Sequence, residues 1–214
     1  MASMARGAVL HAFNEPLTLE TAPSVCHDCI WWQTRGRREV DKDRWMEKLE
    51  LEFGAFGTVY YDSDGRVLGS MQYGPAAAFP RATELPAGPP SDDAILVTCA
   101  YLVASSSPWV LQSLFLAAIG EARDRGARGL EAFSYRYPEG ESAYERFRVH
   151  KTLFPQDFLA DFGFEVLRSA GRVGLSRLEL GGLVPVEEGA REKVLRVVRD
   201  AFGVPEPVPT PPPF

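Results

Sequence analysis

The run 94–103, AILVTCAYLV, constrains the fold more than any other stretch of this chain. It is almost wholly apolar, which is typical of a strand buried on both faces of a sheet. Residues 110–125 carry an apolar stripe at helical spacing, and Gly126 is well placed to end that helix. Residues 129–135 are predicted as the next strand, so strand, helix and strand follow one another with a short return. The pattern predicts a mixed α/β (α+β) core with a parallel crossover.

Further elements are predicted on either side of this core. In chain order they are a helix at 37–53, strands at 56–61 and 66–73, a helix at 155–162, and strands at 164–168 and 173–180. Gly65 can adopt a positive φ and close the first strand pair as an antiparallel hairpin. Residues 74–90 contain five prolines and are predicted to form a long surface loop. A mixed sheet flanked by helices is the expected architecture.

The length of 214 residues and a 45% hydrophobic content favour one sizeable domain. The predicted divisions are an N-terminal segment with a Cys pair and a Trp pair, the domain itself, an amphipathic helix, and a proline-rich tail, at 1–36, 37–180, 181–203 and 204–214. The last helix closes either the fold or a homodimer. The tail is expected to be a solvated end.

The charge balance limits the classes of partner. Lysine and arginine total 23 against 29 acids, a formal charge of −6, which argues against a nucleic-acid binder because phosphate contacts need a cationic face. The opening from Met1 to Pro16 holds no uninterrupted apolar stretch of signal-peptide length, and no later segment reaches the ~20 apolar residues of a membrane span. Three cysteines are an odd number, which favours reduced thiols. We expect a cytoplasmic protein with no membrane partner.

Two motifs and the order of the elements resemble the GNAT superfamily of acyl-CoA-dependent N-acyltransferases. The segment DFLADFGFEV at 157–166 resembles the helix, Gly-Phe and strand start near the end of that fold, and RDRGARGLEA at 123–132 resembles its exit from the cofactor helix. The resemblance covers residues 37–180. It implies acetyl-CoA or another acyl-CoA as co-substrate, and a small-molecule or peptide amine as acceptor.

The resemblance also implies where the cofactor is held. A loop that leads into a helix N-terminus presents unpaired N–H groups and a positive dipole end to a diphosphate. We therefore expect the strand ending at Val103 to splay from its neighbour and to lead the cofactor to the helix that begins near Val110. The implied cofactor-binding residues are Leu102, Val103, Ser105, Ser106, Ser107, Trp109, Val110 and Leu111. This loop departs from the family pattern, since residues 104–111 contain no glycine and no basic residue, and Pro108 lacks an N–H.

Acyl transfer to an amine needs a base for the amine and an acid for the leaving thiolate. Glu131, inside an apolar strand, is the first candidate base, followed by Asp92 and Asp93 at the entry to the central strand. A solvent-facing acid is the alternative role of Glu131. The family's acid, a tyrosine on the short helix, is replaced here by Phe158 or Leu159. The candidate replacements are Tyr135, Tyr101, Tyr137 and Tyr144.

Cys26 and Cys29 form half of a zinc site, since two thiolates at this spacing can share one metal. Cys99, His11 or His150 would have to complete the ligand shell, and zinc is therefore not predicted. The neighbouring Trp31 and Trp32 are expected to anchor this segment onto the core. A basic cluster that could meet a phosphate or an acidic substrate alternates with acids, so a solvated helix face is expected for Arg35, Arg37, Arg38, Lys42 and Arg44.

Three functions remain open from the sequence. The first is an N-acyltransferase whose acceptor pocket is shaped by residues 74–93 and 136–154. The second is a GNAT-fold binding or regulatory module without transfer chemistry, which the altered loop and the missing helix tyrosine favour. The third is an enzyme of the same fold with altered acyl-CoA chemistry, such as decarboxylation.

Overall fold

The computed structural model describes residues 14–34, 40–103, 108–140, 147 and 151–182. The chain divides into two units, Met1–Gly181 and Gly182–Phe214. All the elements described below belong to the first unit. The predicted helix within 181–203 and the proline-rich tail lie outside the described residues from position 183 onward. None of the described helices is long and apolar enough to cross a membrane.

The described residues of the first unit form eight strands, four α-helices and two short 3-10 helices. In chain order they are β1 (Asn14–Pro16), α1 (Ser24–Asp28), α2 (Lys42–Phe53), β2 (Gly57–Tyr61), β3 (Val67–Pro75), the 3-10 helices Ala76–Ala78 and Pro80–Thr83, β4 (Ala94–Leu102), α3 (Pro108–Asp124), β5 (Gly129–Tyr135), β6 (Phe154–Pro155), α4 (Gln156–Asp161), β7 (Glu165–Ala170) and β8 (Val173–Glu179). The strands and helices predicted between 37 and 180 are confirmed to within a few residues, except for the start of α2. β1, α1 and β6 were not predicted.

The predicted start of α2 at residue 37 was wrong, because the helix begins at Lys42. Asp41 has extended backbone angles, and its carboxylate accepts a hydrogen bond from the N–H of Arg44 at 3.0 Å. An aspartate in this position is a helix N-cap, which satisfies a donor that has no partner within the helix. Val40 and Asp41 therefore lie before the helix and are not part of it.

The strands form one mixed sheet with the order β1-β2-β3-β4-β5-β8-β7, and β6 lies beside the end of β5. The pairs from β1 to β4 are antiparallel, and β4 and β5 are parallel. Helix α3 makes the crossover between these two parallel strands, as the sequence predicts. β5, β8 and β7 are antiparallel neighbours. This arrangement confirms the predicted mixed α/β architecture.

Each face of the sheet is covered by a separate apolar cluster. On one face Leu114, Phe115 and Ala118 of α3 pack with Leu130 and Ala132 of β5. On the other face the covering residues come from α2, from the segment before it and from the loop after β3: Met46, Leu49, Trp32, Phe79 and Ala82. The side chain of Trp32 is only 1% exposed, so the predicted anchoring of the Trp pair is confirmed for Trp32.

The loop after β3 is packed more closely than the sequence predicts. Its prolines interrupt regular structure as expected, but two short 3-10 helices form and Phe79 and Ala82 are fully buried. The rings of Trp32 and Trp45 lie 6.4 and 5.6 Å from that of Phe79. The prediction of a loop that only crosses the surface is therefore corrected, because these apolar side chains complete the core beneath α2.

Glycines end the crossover helix α3 and the short helix α4. After α3, the N–H of Ala127 bonds to the carbonyl of Ala122 and Gly126 has a φ of +73°. After α4, the N–H of Phe164 bonds to the carbonyl of Leu159 and Gly163 has a φ of +84°. Both ends are Schellman motifs, in which a left-handed residue lets the chain leave the helix. The Gly-Phe signature is thus a helix stop, and the buried Phe164 fixes where β7 begins.

We expect Gly163→Ala to lower the free energy of unfolding by about 1–2 kcal/mol, the cost of a left-handed conformation for a residue with a side chain. The matched control is Gly120→Ala inside α3. Gly120 has no atoms near an added Cβ, so alanine should stabilise the helix by roughly 0.5–1 kcal/mol. Urea denaturation of both variants checks the opposite signs, and equal stability of Gly163→Ala and the wild type would contradict this account of the helix end.

Candidate functional site

A gap opens between the parallel strands β4 and β5 halfway along their length. They pair only from Ala94 to Val97 on β4, although β4 continues to Leu102. At the same point β3 pairs Gln72 with Cys99 and Tyr73 with Val97, which leaves Thr98 as an extra residue in β4. An extra residue of this kind is a β-bulge, which bends its strand and interrupts pairing. The predicted splay of β4 from its neighbour is therefore confirmed.

The chain returns to this gap after β5 and bridges part of it. The N–H of Ala100 donates to the carbonyl of Lys151 at 3.1 Å, and Lys151 has a φ of +59°. Three residues later β6 begins, and it pairs in parallel with Ser134 and Tyr135 of β5. Successive N–H groups of a strand point to opposite sides, and that of Val103 points to Leu68 on β3. The N–H of Leu102 therefore points into the gap beyond Lys151.

The beginning of α3 lies at the open end of the gap. The helix starts at Pro108, and both Pro108 and Trp109 are exposed, whereas Val110 and Leu111 are buried. The Trp109 ring meets that of Tyr60 edge-on at 5.2 Å. The first N–H groups of a helix have no partner within it. Trp109, Val110 and Leu111 supply such groups here, while the predicted contacts Ser105, Ser106 and Ser107 lie outside the described residues.

These features together define a known architecture. Antiparallel strands lead to a parallel pair, a bulge opens that pair toward the start of the crossover helix, and a short helix with a Gly-Phe stop precedes the last strand pair. The fold is GNAT-like. The predicted strands and helices between the hairpin and β8 are all present among the described residues, while part of the predicted cofactor loop lies outside them.

No family model and no curated protein matches the sequence. Among solved structures, the chain is similar to an N-acetyltransferase from Staphylococcus aureus Mu50, with 16% identity, a TM-score of 0.47, and coverage of 80% of this chain and 99% of that chain. It is also similar to a putative GNAT-family acetyltransferase from Desulfovibrio desulfuricans, with 17% identity, a TM-score of 0.40, and coverage of 70% of this chain and 87% of that chain. A third similar structure is Naa20 from Chaetomium thermophilum in complex with a bisubstrate analogue, with 10% identity, a TM-score of 0.45, and coverage of 78% of this chain and 86% of that chain.

Glu131 is fully buried and lies opposite Leu96 in the paired part of β4 and β5, one residue before the pairing ends. One carboxylate oxygen accepts the N–H of Ser91 at 2.8 Å, and the other accepts from Arg177 Nη1 at 3.2 Å. Glu131 is therefore not the solvent-facing acid of the alternative reading. Both its oxygens are engaged by donors from the protein, which favours a structural carboxylate. A catalytic role for Glu131 stays a prediction.

Asp93 is held by the same arginine. It accepts from Arg177 Nη1 at 2.8 Å and from Nη2 at 3.3 Å, and the hydrogen bond from Arg177 lowers the pKa of Asp93. Glu179 also pairs with this guanidinium, at 2.5 Å. Asp93 precedes the bulge by five residues, roughly 17 Å along an extended strand. As the predicted base, Asp93 would have to accept the proton of the amine from the far end of β4.

The candidate acids lie closer to the gap. Tyr135 ends β5, and its ring lies 4.9 Å from that of Tyr137. The ammonium of Lys151 lies 4.9 Å from the ring centroid of Tyr101 on β4. Tyr144 lies outside the described residues. In α4, Leu159 is fully buried and the Phe158 ring packs on Phe115, so neither replaces the missing hydroxyl.

The three cysteines are free thiols around one side of β4. The sulfur of Cys26 lies 3.9 Å from the hydroxyl of Ser70 on β3, and Cys99 packs with the cluster beneath α2. The described residues contain no group of three or more His, Cys, Asp or Glu that could hold a metal ion. Burial raises the pKa of Cys26 and raises that of Cys99 to about 12. Both are therefore neutral thiols.

Lys42 was predicted on a solvated helix face, and this was wrong. Its side chain is only 6% exposed and lies over the ring of Trp45 at 4.2 Å. Burial lowers the pKa of Lys42. The alternating charges gave no sign of this, because position 42 is the first residue of α2 and points to the sheet. The one sequence feature that indicates burial is its spacing: Lys42 precedes the apolar Leu49 by seven residues, or two helical turns, and therefore lies on the same helix face.

We expect Glu131→Gln to lower the free energy of unfolding by about 1.5–3 kcal/mol, because both partners of the carboxylate are donors and an amide nitrogen cannot accept from either. Glu165→Gln, on the exposed strand β7, is the matched control. The base role predicts in addition that turnover of an acyl-CoA falls in the folded variant. Thermal or urea denaturation and a thiol-release assay measure the two effects, and unchanged turnover would remove Glu131 from the mechanism.

A second prediction concerns the pH dependence of stability. With the pKa of Lys42 lowered in the folded state, the unfolded chain binds this proton more tightly, so Lys42 opposes folding at and below neutral pH. This opposition fades as the pH rises from the lowered value toward the ordinary value of 10.5. Lys42→Met should therefore be more stable than the wild type at pH 7, with a gain that shrinks toward pH 10.5. Lys48→Met, at an exposed site on the same helix, should show no such trend; an equal trend in both would refute this.

Proposed function

We propose that this chain is an N-acyltransferase that takes an acyl group from an acyl-CoA to an amine acceptor. The observation that carries the proposal is the gap between β4 and β5, which the Thr98 bulge opens toward the exposed start of α3. An extended chain with amide groups can bond to a strand edge of this kind, and a diphosphate can bond to a helix start. Both features of coenzyme A are matched by backbone groups at adjoining places.

In this arrangement the diphosphate lies at the N–H groups of Trp109, Val110 and Leu111. The pantetheine arm follows β4 past the N–H of Leu102, and its thioester end reaches the closed end of the gap near Cys99. The acceptor nitrogen attacks the thioester carbonyl, so a C–N bond forms and the C–S bond breaks. The nitrogen loses a proton and the leaving thiolate gains one. Glu131 or Asp93 as base and Tyr135 as acid remain predictions for these two transfers.

The charge pattern around the helix start sets a limit on affinity. Residues 104–111 supply no cation, and Pro108 removes one donor from the first turn. Binding then rests on the helix dipole and the remaining N–H groups, which together favour an anion by a modest amount. Trp109, exposed beside them, offers a ring on which the adenine can stack.

A second candidate is a binding module of the same fold that no longer transfers acyl groups. Two observations favour it. The carbonyl of Lys151 already occupies the N–H of Ala100 inside the gap, and α4 carries Phe158 and Leu159 where a hydroxyl is needed. In this reading the segment 151–155 closes the space that the pantetheine arm would occupy.

Thermal unfolding with coenzyme A and acetyl-CoA separates the two candidates. A ligand at 100 times its dissociation constant stabilises the folded state by about 2.7 kcal/mol, and we expect such a shift for the wild type. Trp109→Glu should weaken binding by ~2 kcal/mol, roughly 30-fold, because a charge ~8 Å from the diphosphate repels it at an effective dielectric constant of about 20. The fold tolerates this change, since an acid is favourable in the first turn of a helix.

Trp109→Gln is the matched control, since it removes the ring but adds no charge. If it binds coenzyme A better than Trp109→Glu, the diphosphate lies at the start of α3. Equal binding by the two variants would place the diphosphate elsewhere. No shift with either cofactor, together with no turnover over a panel of amines, would leave the binding module as the function.

A further inference from the structure

Lys151 holds the splayed part of β4 from across the gap. Its carbonyl accepts the N–H of Ala100 at 3.1 Å, and its ammonium lies 4.9 Å from the ring centroid of Tyr101, the next residue of β4. The last residue of β4 that pairs with β5 is Val97, three positions before Ala100. The main chain and the side chain of one residue therefore bind two consecutive residues of β4 where β5 no longer does.

The backbone of Lys151 adopts a conformation that is unfavourable for lysine. Its φ is +59°, and its N–H donates to the carbonyl of Phe147, four residues earlier, at 2.7 Å. A left-handed residue with this hydrogen bond is the αL motif, a position that glycine usually fills. Residues with a Cβ pay a free-energy cost in the left-handed region. The contact with Ala100 is thus held against the intrinsic backbone preference of lysine, which favours its release.

Buried rings fix the chain on both sides of Lys151. Phe147 and Phe154 are fully buried, and their rings stack with centroids 4.9 Å apart. The ring of Phe154 also meets that of Phe115 on α3 edge-on at 4.9 Å. Lys151 lies between these two anchors and is itself only partly buried. A change in its own backbone angles therefore releases Ala100 without displacing either buried ring.

We infer that Lys151 is a conformational switch that regulates access of the acyl-CoA to the gap. In the closed form its carbonyl accepts the N–H of Ala100, and in the open form that N–H is available to a carbonyl of the pantetheine arm. The inference rests on the proposed function, which places the arm along β4. Because the arm binds only the open form, its apparent affinity is reduced by the fraction of molecules that are open. The backbone conformation of Lys151 thereby sets the affinity for the cofactor.

The test compares Lys151→Ala with Lys151→Gly in the full chain. Both variants lack the ammonium, so they differ in how readily residue 151 adopts a positive φ: glycine does so freely, whereas alanine pays for its Cβ. We expect coenzyme A to bind Lys151→Ala roughly 5-fold more tightly than Lys151→Gly in isothermal titration calorimetry, because alanine disfavours the closed form. Without ligand the order of stability is the reverse, and Lys151→Gly unfolds at the higher urea concentration.

Hydrogen exchange measures the switch without any ligand. The amide of Ala100 should exchange roughly 5-fold faster in Lys151→Ala than in Lys151→Gly, since its bond to residue 151 opens more often. The amide of Val103 is the matched control, because it donates to Leu68 on β3 and not across the gap. Its exchange rate should be the same in both variants.

The outcomes separate the switch from the proposed function. Equal affinity of the two variants for coenzyme A, or tighter binding by Lys151→Gly, overturns the switch and leaves the transferase proposal standing. This holds even if the Ala100 amide exchanges at different rates, because the cofactor then does not compete for it. Equal exchange of that amide in the two variants also overturns the switch. If neither variant nor the wild type binds coenzyme A or acetyl-CoA, the transferase proposal and the switch both fail.

Discussion

The single extra residue at Thr98 controls the arrangement of the whole site. Before it, Ile95 and Val97 face α3; after it, Ala100 and Leu102 face α3, so the bulge shifts the alternation of β4 by one position. Cys99 consequently joins Leu96 on the face beneath α2. The same irregularity ends the pairing with β5 after Val97. One insertion thus opens the gap and turns Cys99 toward the face beneath α2.

The segment after β5 already occupies part of the gap. Lys151 satisfies a strand N–H that coenzyme A would use, and β6 extends the edge of β5 by only two residues. So short a pairing contributes little stability by itself, whereas Phe154 beside it is fully buried. A ligand that displaced the Lys151 carbonyl would exchange one hydrogen bond for another. Displacing Phe154 would cost the burial of a whole aromatic ring, so a pantetheine arm bound as proposed would pass along Leu102 and leave Phe154 in place.

The sequence predicts the long elements well because their signal is local. The apolar run of β4 and the stripe of α3 each repeat over several periods, whereas β1, α1 and β6 have two to five residues and carry no readable period. Side-chain partners are a different matter. Glu131 and Arg177 are 46 residues apart, and nothing near either residue indicates the pairing. Lys42, Gln72 and Cys99 come from three elements, and only the register of β3 on β4 brings the last two together.

The two buried cations in the part of the chain that the structure describes, Arg177 and Lys42, differ in their neighbours. Arg177 is surrounded by Asp93, Glu131 and Glu179, so its charge is compensated and its carboxylates are committed to it. Lys42 has thiols and an aromatic ring as neighbours, with no carboxylate among the described residues. A buried charge is stable only when paired. The two acids chosen first from the sequence are therefore both paired with Arg177, and the lysine expected on a solvated face is buried beside an aromatic ring.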